Sequence, residues 1–179
     1  MATLRELMEA TTALEKATMA LYACYARVFS ADSKLHEFWH SMARDEAGHV
    51  GALTLVSTML EVQGLLDEQS PLPLDDAAID RLRLMLERER AAARPGLTIQ
   101  RALAAALEAE ESEIEDQVGA LLKAVHQDDE YERYQRLLIH DMSDLSYMIE
   151  TYCEDPALLA RCDALVERHA EALHAADRH

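Results

Sequence analysis

FWHSMARDEAGH, residues 38–49, is the stretch that decides the fold of this chain. Apolar residues in and around it recur at helical spacing and form one stripe: Leu35, Phe38, Trp39, Met42, Val50 and Leu53. Glu46 and His49 fall inside this stripe rather than opposite it, so we expect both side chains to point toward the core. Burying a carboxylate is costly unless a partner neutralises it. In a helical bundle the usual partner is a metal ion that is shared with carboxylates from neighbouring helices.

The composition indicates one all-α domain. A chain of 179 residues is long enough for one domain with a sizeable core and short for two. Hydrophobic residues make up 50% of the chain, whereas there are 5 glycines and 4 prolines, which leaves little material for strands and tight turns.

The formal net charge of -17 argues against nucleic acid and anionic membranes as partners, because phosphate contacts need a surplus of Lys and Arg. Cations are the expected small ligands.

Cys24, Cys153 and Cys162 form no C-x-x-C pair, so neither a disulfide framework nor a thiolate metal site is predicted. The N-terminus is acidic and amphipathic, and no apolar run approaches the ~18 residues of a membrane span. We expect a cytoplasmic protein.

The apolar periodicity predicts four long helices and one additional helix. The first covers about residues 3–29, the second about 33–63, the third about 98–125, the fourth follows residue 129, and the fifth begins at Pro156. Residues 64–97 contain glycine, prolines and a short helix, and are long enough to cross the length of a bundle. We therefore expect a four-helix bundle over residues 1–153. Residues 154–179 form an accessory helix that either covers the bundle or joins a homodimer.

Acidic side chains also fall on the apolar faces of the other three long helices. Glu15 shares a face with Tyr22, seven residues further on. Glu110 lies on the apolar stripe of the third helix, and Glu113 follows it by one turn. On the fourth helix the acidic residues among the apolar positions are Asp141 and Asp144.

This pattern resembles a rubrerythrin-type diiron domain of the ferritin-like superfamily. In that family the first helix carries a Glu followed seven residues later by a Tyr, as Glu15 and Tyr22 do, and the second carries D/E-E-x-x-H, as residues 45–49 do. Residues 102–114 are similar to the third helix of the family, in which some members carry an extra carboxylate. The resemblance covers about residues 3–63 and 98–152 and implies a ferritin-like four-helix bundle.

The resemblance implies an iron centre, with oxidase or peroxidase chemistry on dioxygen or peroxide, or iron handling. The metal ligands that it nominates are Glu15, Glu46, His49, Glu110, Glu113, Asp141 and Asp144. The resemblance also implies that Tyr22 is a catalytic residue, which orients a metal ligand through a hydrogen bond. No rubredoxin-like cysteine module is present in this sequence, so a separate protein would donate electrons.

The fourth helix departs from the family pattern. Where the family has a second Glu-x-x-His, this chain has Asp141-Met142-Ser143-Asp144. Aspartate is one methylene shorter than glutamate, and Asp144 offers oxygen in place of an imidazole nitrogen. Such a half-site suits harder or more weakly bound ions such as Mn²⁺, Mg²⁺ or Ca²⁺. We therefore expect either two iron ions, or one Fe or Mn ion if this half is lost.

Two alternatives remain open. The first is a metal-free ferritin-like scaffold that acts as a structural or interaction protein, in which the same groups form a hydrogen-bonded polar core. The second is a zinc peptidase, because His36 and His40 satisfy H-E-x-x-H. The two histidines point roughly 120° away from the apolar stripe, so we expect them to face solvent or a partner.

Overall fold

The computed structural model describes residues 2–124 and 128–176, without the side chains of residues 113–117, 124, 128–130 and 172–176. The helices are α1 (Leu4–Val28), α2 (Ser33–Val62), α3 (Asp76–Ala92), α4 (Ile99–Glu110), α5 (Glu113–Ala124), α6 (Asp128–Tyr152) and α7 (Pro156–Ala176). The part of the chain described contains no β-strand, so the all-α prediction is confirmed. None of these helices is both long enough and apolar enough to cross a membrane, as judged from the described residues.

Capping side chains determine where the first helices begin. Thr3 and Glu6 form a capping box, in which the Glu6 amide donates to Thr3 Oγ1 at 3.2 Å and the Thr3 amide donates to Glu6 Oε2 at 2.8 Å. Asp32 Oδ1 accepts from the amides of Lys34 and Leu35 at the start of α2. These local signals explain why the predicted starts of both helices agree with the structure.

The directions of the long helices follow from contacts near their ends. The amides of Leu4 and Arg5, at the start of α1, donate to carbonyls just beyond the end of α2, so α1 and α2 are antiparallel. Lys34 Nζ, near the start of α2, donates to the Tyr147 hydroxyl late in α6 at 3.0 Å. Gln100 Nε2, near the start of α4, donates to the carbonyl of Tyr152 at the end of α6 at 3.0 Å. Both α2 and α4 therefore run opposite to α6, and the connection that contains α3 joins two helices of the same direction.

The predicted third helix is interrupted, which corrects the expectation of one helix over residues 98–125. α4 ends at Glu110 and α5 begins at Glu113. The Ser112 amide donates to the carbonyl of Ala109, three residues back instead of four, at 3.1 Å. Serine competes for backbone hydrogen bonds and is a weak helix former, which is the physical reason for a break here. The break directly follows one of the predicted site carboxylates.

Aromatic side chains fill the core next to the predicted site. Trp39 is fully buried, and its ring contacts those of Tyr22, Tyr25, Phe29 and Phe38 at centroid distances between 4.6 and 6.4 Å. This packing joins α1 to α2 and places Tyr22 against the interior of the bundle.

The accessory helix α7 folds back on α6. Ser146 Oγ donates to Asp163 Oδ1 at 2.6 Å near the start of α7, and His169 lies 3.3 Å from Gln135 Oε1 near its end. The two helices are therefore antiparallel, and α7 covers the outer side of α6. Its expected role in a homodimer stays a prediction.

Candidate metal centre

Five of the predicted ligands are buried, and they come from four helices. They are Glu15 on α1, Glu46 and His49 on α2, Glu110 at the end of α4, and Asp141 on α6. Each is between 1% and 3% exposed. The helix directions described above bring residues that are distant in sequence to one level of the bundle.

Glu15, Glu46 and His49 form the tightest group. His49 Nδ1 lies 3.5 Å from Glu15 Oε2 and 3.3 Å from Glu46 Oε2. One potential ligand atom from each of the three residues lies within 4.8 Å of the others. Glu46 and His49 lie next to each other because they are three residues apart on one helix. The packing of α1 on α2 brings Glu15 to them.

Several polar atoms of this cluster have no hydrogen-bond partner. They are Glu15 Oε2, Glu46 Oε2, both ring nitrogens of His49, and Asp141 Oδ1. Buried polar atoms are rarely left unpaired in folded proteins, so such a concentration at one place requires an explanation. Carboxylate oxygens with one imidazole are a donor set that suits first-row transition metals. The residues present therefore fit a metal ion.

Glu89 shows how the same chain neutralises a buried carboxylate without a metal. Its side chain accepts from Arg88 Nε at 2.8 Å and from Arg101 Nε at 3.0 Å. Burial opposes its ionisation, but the two guanidinium groups outweigh that effect and lower the pKa of Glu89. Among the described ion pairs, no Lys or Arg pairs with a carboxylate of the central cluster.

Two tyrosines hold carboxylates of the centre in place. The Tyr22 hydroxyl donates to Glu110 Oε1 at 2.6 Å, and the Tyr134 hydroxyl donates to Glu15 Oε1 at 3.3 Å. The ring of Tyr134 also packs on the ring of His49, at a centroid distance of 4.6 Å. Sequence analysis missed Tyr134, although a signal existed. It precedes Asp141 by seven residues, the spacing that relates Glu15 to Tyr22.

Burial and like charges raise the pKa of most acids in the cluster. Burial, followed by the charge of Glu15, raises the pKa of Glu46 well above its ordinary value. Burial also raises the pKa of Glu110, although its hydrogen bond from Tyr22 opposes the shift. Burial and the charge of Glu110 raise the pKa of Asp141 to about 9. Asp141 therefore retains at neutral pH a proton that a bound cation would displace.

His49 and Glu15 are shifted in the directions that favour their charged forms. Burial opposes ionisation of Glu15, but the contact with His49 outweighs it and lowers the pKa of Glu15. Burial likewise favours neutral imidazole, but Glu15 and Glu46 together raise the pKa of His49 well above its ordinary value. Without a metal, an imidazolium between the two carboxylates is the only positive charge in the described ion pairs of this group.

We expect the metal-free protein to lose stability as pH rises, and Asp141→Asn to reduce that loss. The pKa of Asp141 rises from 3.8 to about 9 on folding, so the folded state binds the proton more tightly. Its contribution is therefore present at low pH and is lost as pH rises between those values. Between about pH 6 and about pH 8.5, Asp141→Asn should recover about 2–3 kcal/mol of the free energy of unfolding that the parent loses.

Denaturant unfolding in the presence of a chelator measures this effect at both pH values. Asp144→Asn is the matched control, because it makes the same chemical change at an exposed position on the same helix. The control should keep the pH dependence of the parent. Equal pH dependence in the parent and in Asp141→Asn would show that Asp141 is not the protonated group.

Two predicted ligands do not join the described cluster. Asp144 is exposed, which corrects the expectation that it points inward. The buried stripe of α6 continues from Asp141 to Leu145 and Met148, at intervals of four and three residues, so a residue three positions after Asp141 falls on the outer face. The side chain of Glu113 lies outside the described residues.

No protein-family model matches the chain, and no curated protein or solved structure matches it significantly. The rubrerythrin-type resemblance therefore stays a prediction based on the residues themselves.

The histidines of the H-E-x-x-H pattern lie outside this centre. His36 and His40 are exposed, as expected, and their ring centroids are 6.2 Å apart. His36 Nδ1 lies 2.9 Å from the carbonyl oxygen of Ala26. Neither histidine belongs to a group of three close metal-binding side chains within the described part of the chain. The structure thus gives no third ligand for the zinc-peptidase alternative among these residues.

Proposed function

We propose that this chain is a ferritin-like protein that binds a first-row transition metal ion through Glu15, Glu46 and His49. Iron is the ion that the rubrerythrin-type resemblance favours. One observation carries the proposal. Buried polar atoms of these three residues lie close to one another and have no hydrogen-bond partner. One cation could take Glu15 Oε2, Glu46 Oε2 and one ring nitrogen of His49 as ligands at the same time, which no described side chain does.

The helix arrangement supports the ferritin-like part of the proposal. α1 is antiparallel to α2, α4 is antiparallel to α6, and the connection through α3 joins helices of the same direction. A four-helix bundle with one long crossover is the plan of ferritin-like proteins, in which facing helices supply metal ligands to the core.

The donor set favours one ion at the buried centre over two. His49 is the only imidazole in the described central group, and Asp144, expected to complete the second half, is exposed. Glu110 lies beside the group with its carboxylate fixed by Tyr22. Bound iron would supply electron transfer to dioxygen or peroxide. The protein would contribute the burial that excludes bulk water and the hydrogen bond that keeps the Glu110 carboxylate oriented.

Metal analysis of protein purified without a histidine tag tests this proposal. After anaerobic loading with ferrous iron and removal of excess metal, we expect about one tightly bound ion per chain in the parent. Glu46→Gln and His49→Gln should lose this ion, because each removes a ligand with little change in size. His40→Gln is the matched control at an exposed position of the same helix, and it should retain the ion. A parent that binds no metal at the buried centre contradicts the proposal.

One observation favours the metal-free scaffold as the second candidate. An imidazolium at His49 lies 3.3 Å and 3.5 Å from two carboxylate oxygens and so neutralises part of their charge without a metal. This candidate predicts a parent protein that stays metal-free after loading and is no more stable with ferrous iron than with a chelator. The same loading experiment therefore separates the two candidates.

A further inference from the structure

A second group of metal-binding side chains lies at the rim of the bundle, between α2 and α6. His140 Nδ1 is 3.6 Å from Asp141 Oδ1 and 4.0 Å from Asp45 Oδ2. One potential ligand atom from each of the three residues lies within 4.8 Å of the others. The side chains form a gradient from the interior to the surface, with exposures of 2% for Asp141, 12% for Asp45 and 59% for His140.

The carboxyl groups of Asp141 and Asp45 face each other, and the proton that Asp141 retains at neutral pH is the hydrogen-bond donor between them. Asp141 Oδ1 is buried and has no other hydrogen-bond partner, and it is the Asp141 oxygen that lies near His140. Asp45 Oδ2 is also buried and has no other hydrogen-bond partner. Arg44 pairs with the other oxygen, Asp45 Oδ1, at 3.7 Å and leaves Oδ2 turned toward His140. Apart from Arg44, which contacts only Asp45 Oδ1, His140 in its protonated form is the one cationic group in the described ion pairs of this site.

The rim group is distinct from the proposed buried centre. Asp45 immediately precedes Glu46 on α2, so its side chain leaves the helix about 100° away from that of Glu46 and faces α6. Asp141 lies between the two groups, since its carboxylate feels the charges of both Glu110 and Asp45. Asp141 is the predicted ligand that lies near both groups, whereas the proposed buried ion is held by Glu15, Glu46 and His49.

We propose that Asp45, His140 and Asp141 form a second divalent-cation site, which takes a first-row transition ion at the rim of the bundle. Two carboxylate oxygens and one imidazole nitrogen are ligands that Mn²⁺, Fe²⁺, Co²⁺ and Zn²⁺ all accept. The exposure of His140 leaves room for water to fill the remaining positions. The protein supplies only three ligands, and the remaining side of the site faces solvent. The site therefore binds its ion more weakly than a buried centre and exchanges it with solvent.

The sequence does not predict this site, because His140 belongs to none of its motifs and the three residues come from two different helices. Asp45 was taken only as part of the D/E-E-x-x-H motif, and His140 lies next to Asp141 on an exposed face of α6. The contact needs the packing of α2 against α6. At Gly48 an added Cβ would lie 3.3 Å from Leu137 Cδ1, which shows how closely the two helices approach beside this group.

Cobalt titration of untagged, chelator-treated protein tests the site. Followed by calorimetry and visible absorption, Co²⁺ should bind the parent in two classes, a tight one and a weaker one. His140→Ala should abolish the weaker class or weaken it roughly tenfold or more, and Asp45→Asn should do the same. His40→Ala is the matched control, because it removes another exposed histidine from the same bundle. A crystal soaked in Co²⁺ should give an anomalous peak among the three side chains.

The outcomes separate this site from the buried centre. If the parent binds only one Co²⁺ and loses it in both His140→Ala and Asp45→Asn, the rim site stands and the proposed buried centre fails. If His140→Ala binds both ions as the parent does, the rim site is overturned. It is also overturned if His140→Ala has an effect and Asp45→Asn has none, because the ion then sits on an isolated surface histidine.

Discussion

His49→Ala should lower the free energy of unfolding of the chelator-treated protein by about 3–5 kcal/mol near neutral pH. The imidazolium of His49 is the only positive charge in the described ion pairs of Glu15 Oε2 and Glu46 Oε2, although neither contact has hydrogen-bond geometry. Removing it leaves two buried carboxylates that must either repel each other or take up protons. Urea unfolding near neutral pH measures this effect.

A double substitution separates lost charge pairing from a simple cavity. Glu46→Gln removes one of the two charges that His49 faces and keeps the shape of the side chain. If the effect of His49→Ala is electrostatic, the double variant should be more stable than the sum of the two single changes predicts. Additive losses would mean that His49 acts chiefly by filling space. This measurement uses metal-free protein, so it does not depend on whether the centre binds a metal.

Trp39→Ala should lower the free energy of unfolding by about 3–5 kcal/mol, because it opens a large cavity in the core. Trp39 is fully buried and contacts four other aromatic rings, from α1, from the residue that follows it and from α2. One of these belongs to Tyr22, whose hydroxyl holds Glu110. Thermal or urea unfolding of the variant measures the stability loss, and metal analysis shows whether the disturbance reaches the centre.

Trp39→Phe is the matched control for this core position. It keeps an aromatic ring and removes an indole N–H that is buried without a hydrogen-bond partner. Its cost should therefore be well below that of the alanine variant, since the lost contacts are offset in part by removal of an unpaired polar group. A phenylalanine variant as unstable as the alanine variant would argue against the cavity explanation.

Local patterns in the sequence predicted most of the helices and the inward side chains of the centre. Glu46 and His49 were identified because their apolar neighbours define one face of a helix, and they are buried as expected. Asp144 was misplaced because the buried stripe of α6 follows intervals of three and four residues from Asp141 onward and leaves Asp144 outside. A carboxylate among apolar residues on a helix can lie at the border of the apolar face, and the sequence alone does not reveal whether its side chain is buried or exposed.

Features that depend on contacts between helices were not predictable from one sequence. The interruption after Glu110 depends on a single shifted backbone hydrogen bond at Ser112. The contact of Tyr134 with Glu15 joins α6 to α1 across the bundle. The grouping of Asp45 with His140 requires the close approach of α2 and α6, which no periodicity within either helix specifies.

The carboxylates beside the end of α4 have a consequence for which molecules the interior can accept. The last carbonyl groups of a helix are not paired within it and carry the negative end of the helix dipole. Because α4 stops at Glu110 and α5 begins only at Glu113, the helix end itself contributes little net charge there, and the buried carboxylates dominate. An interior lined by carboxylates favours cations and disfavours phosphate, organic acids and other anions.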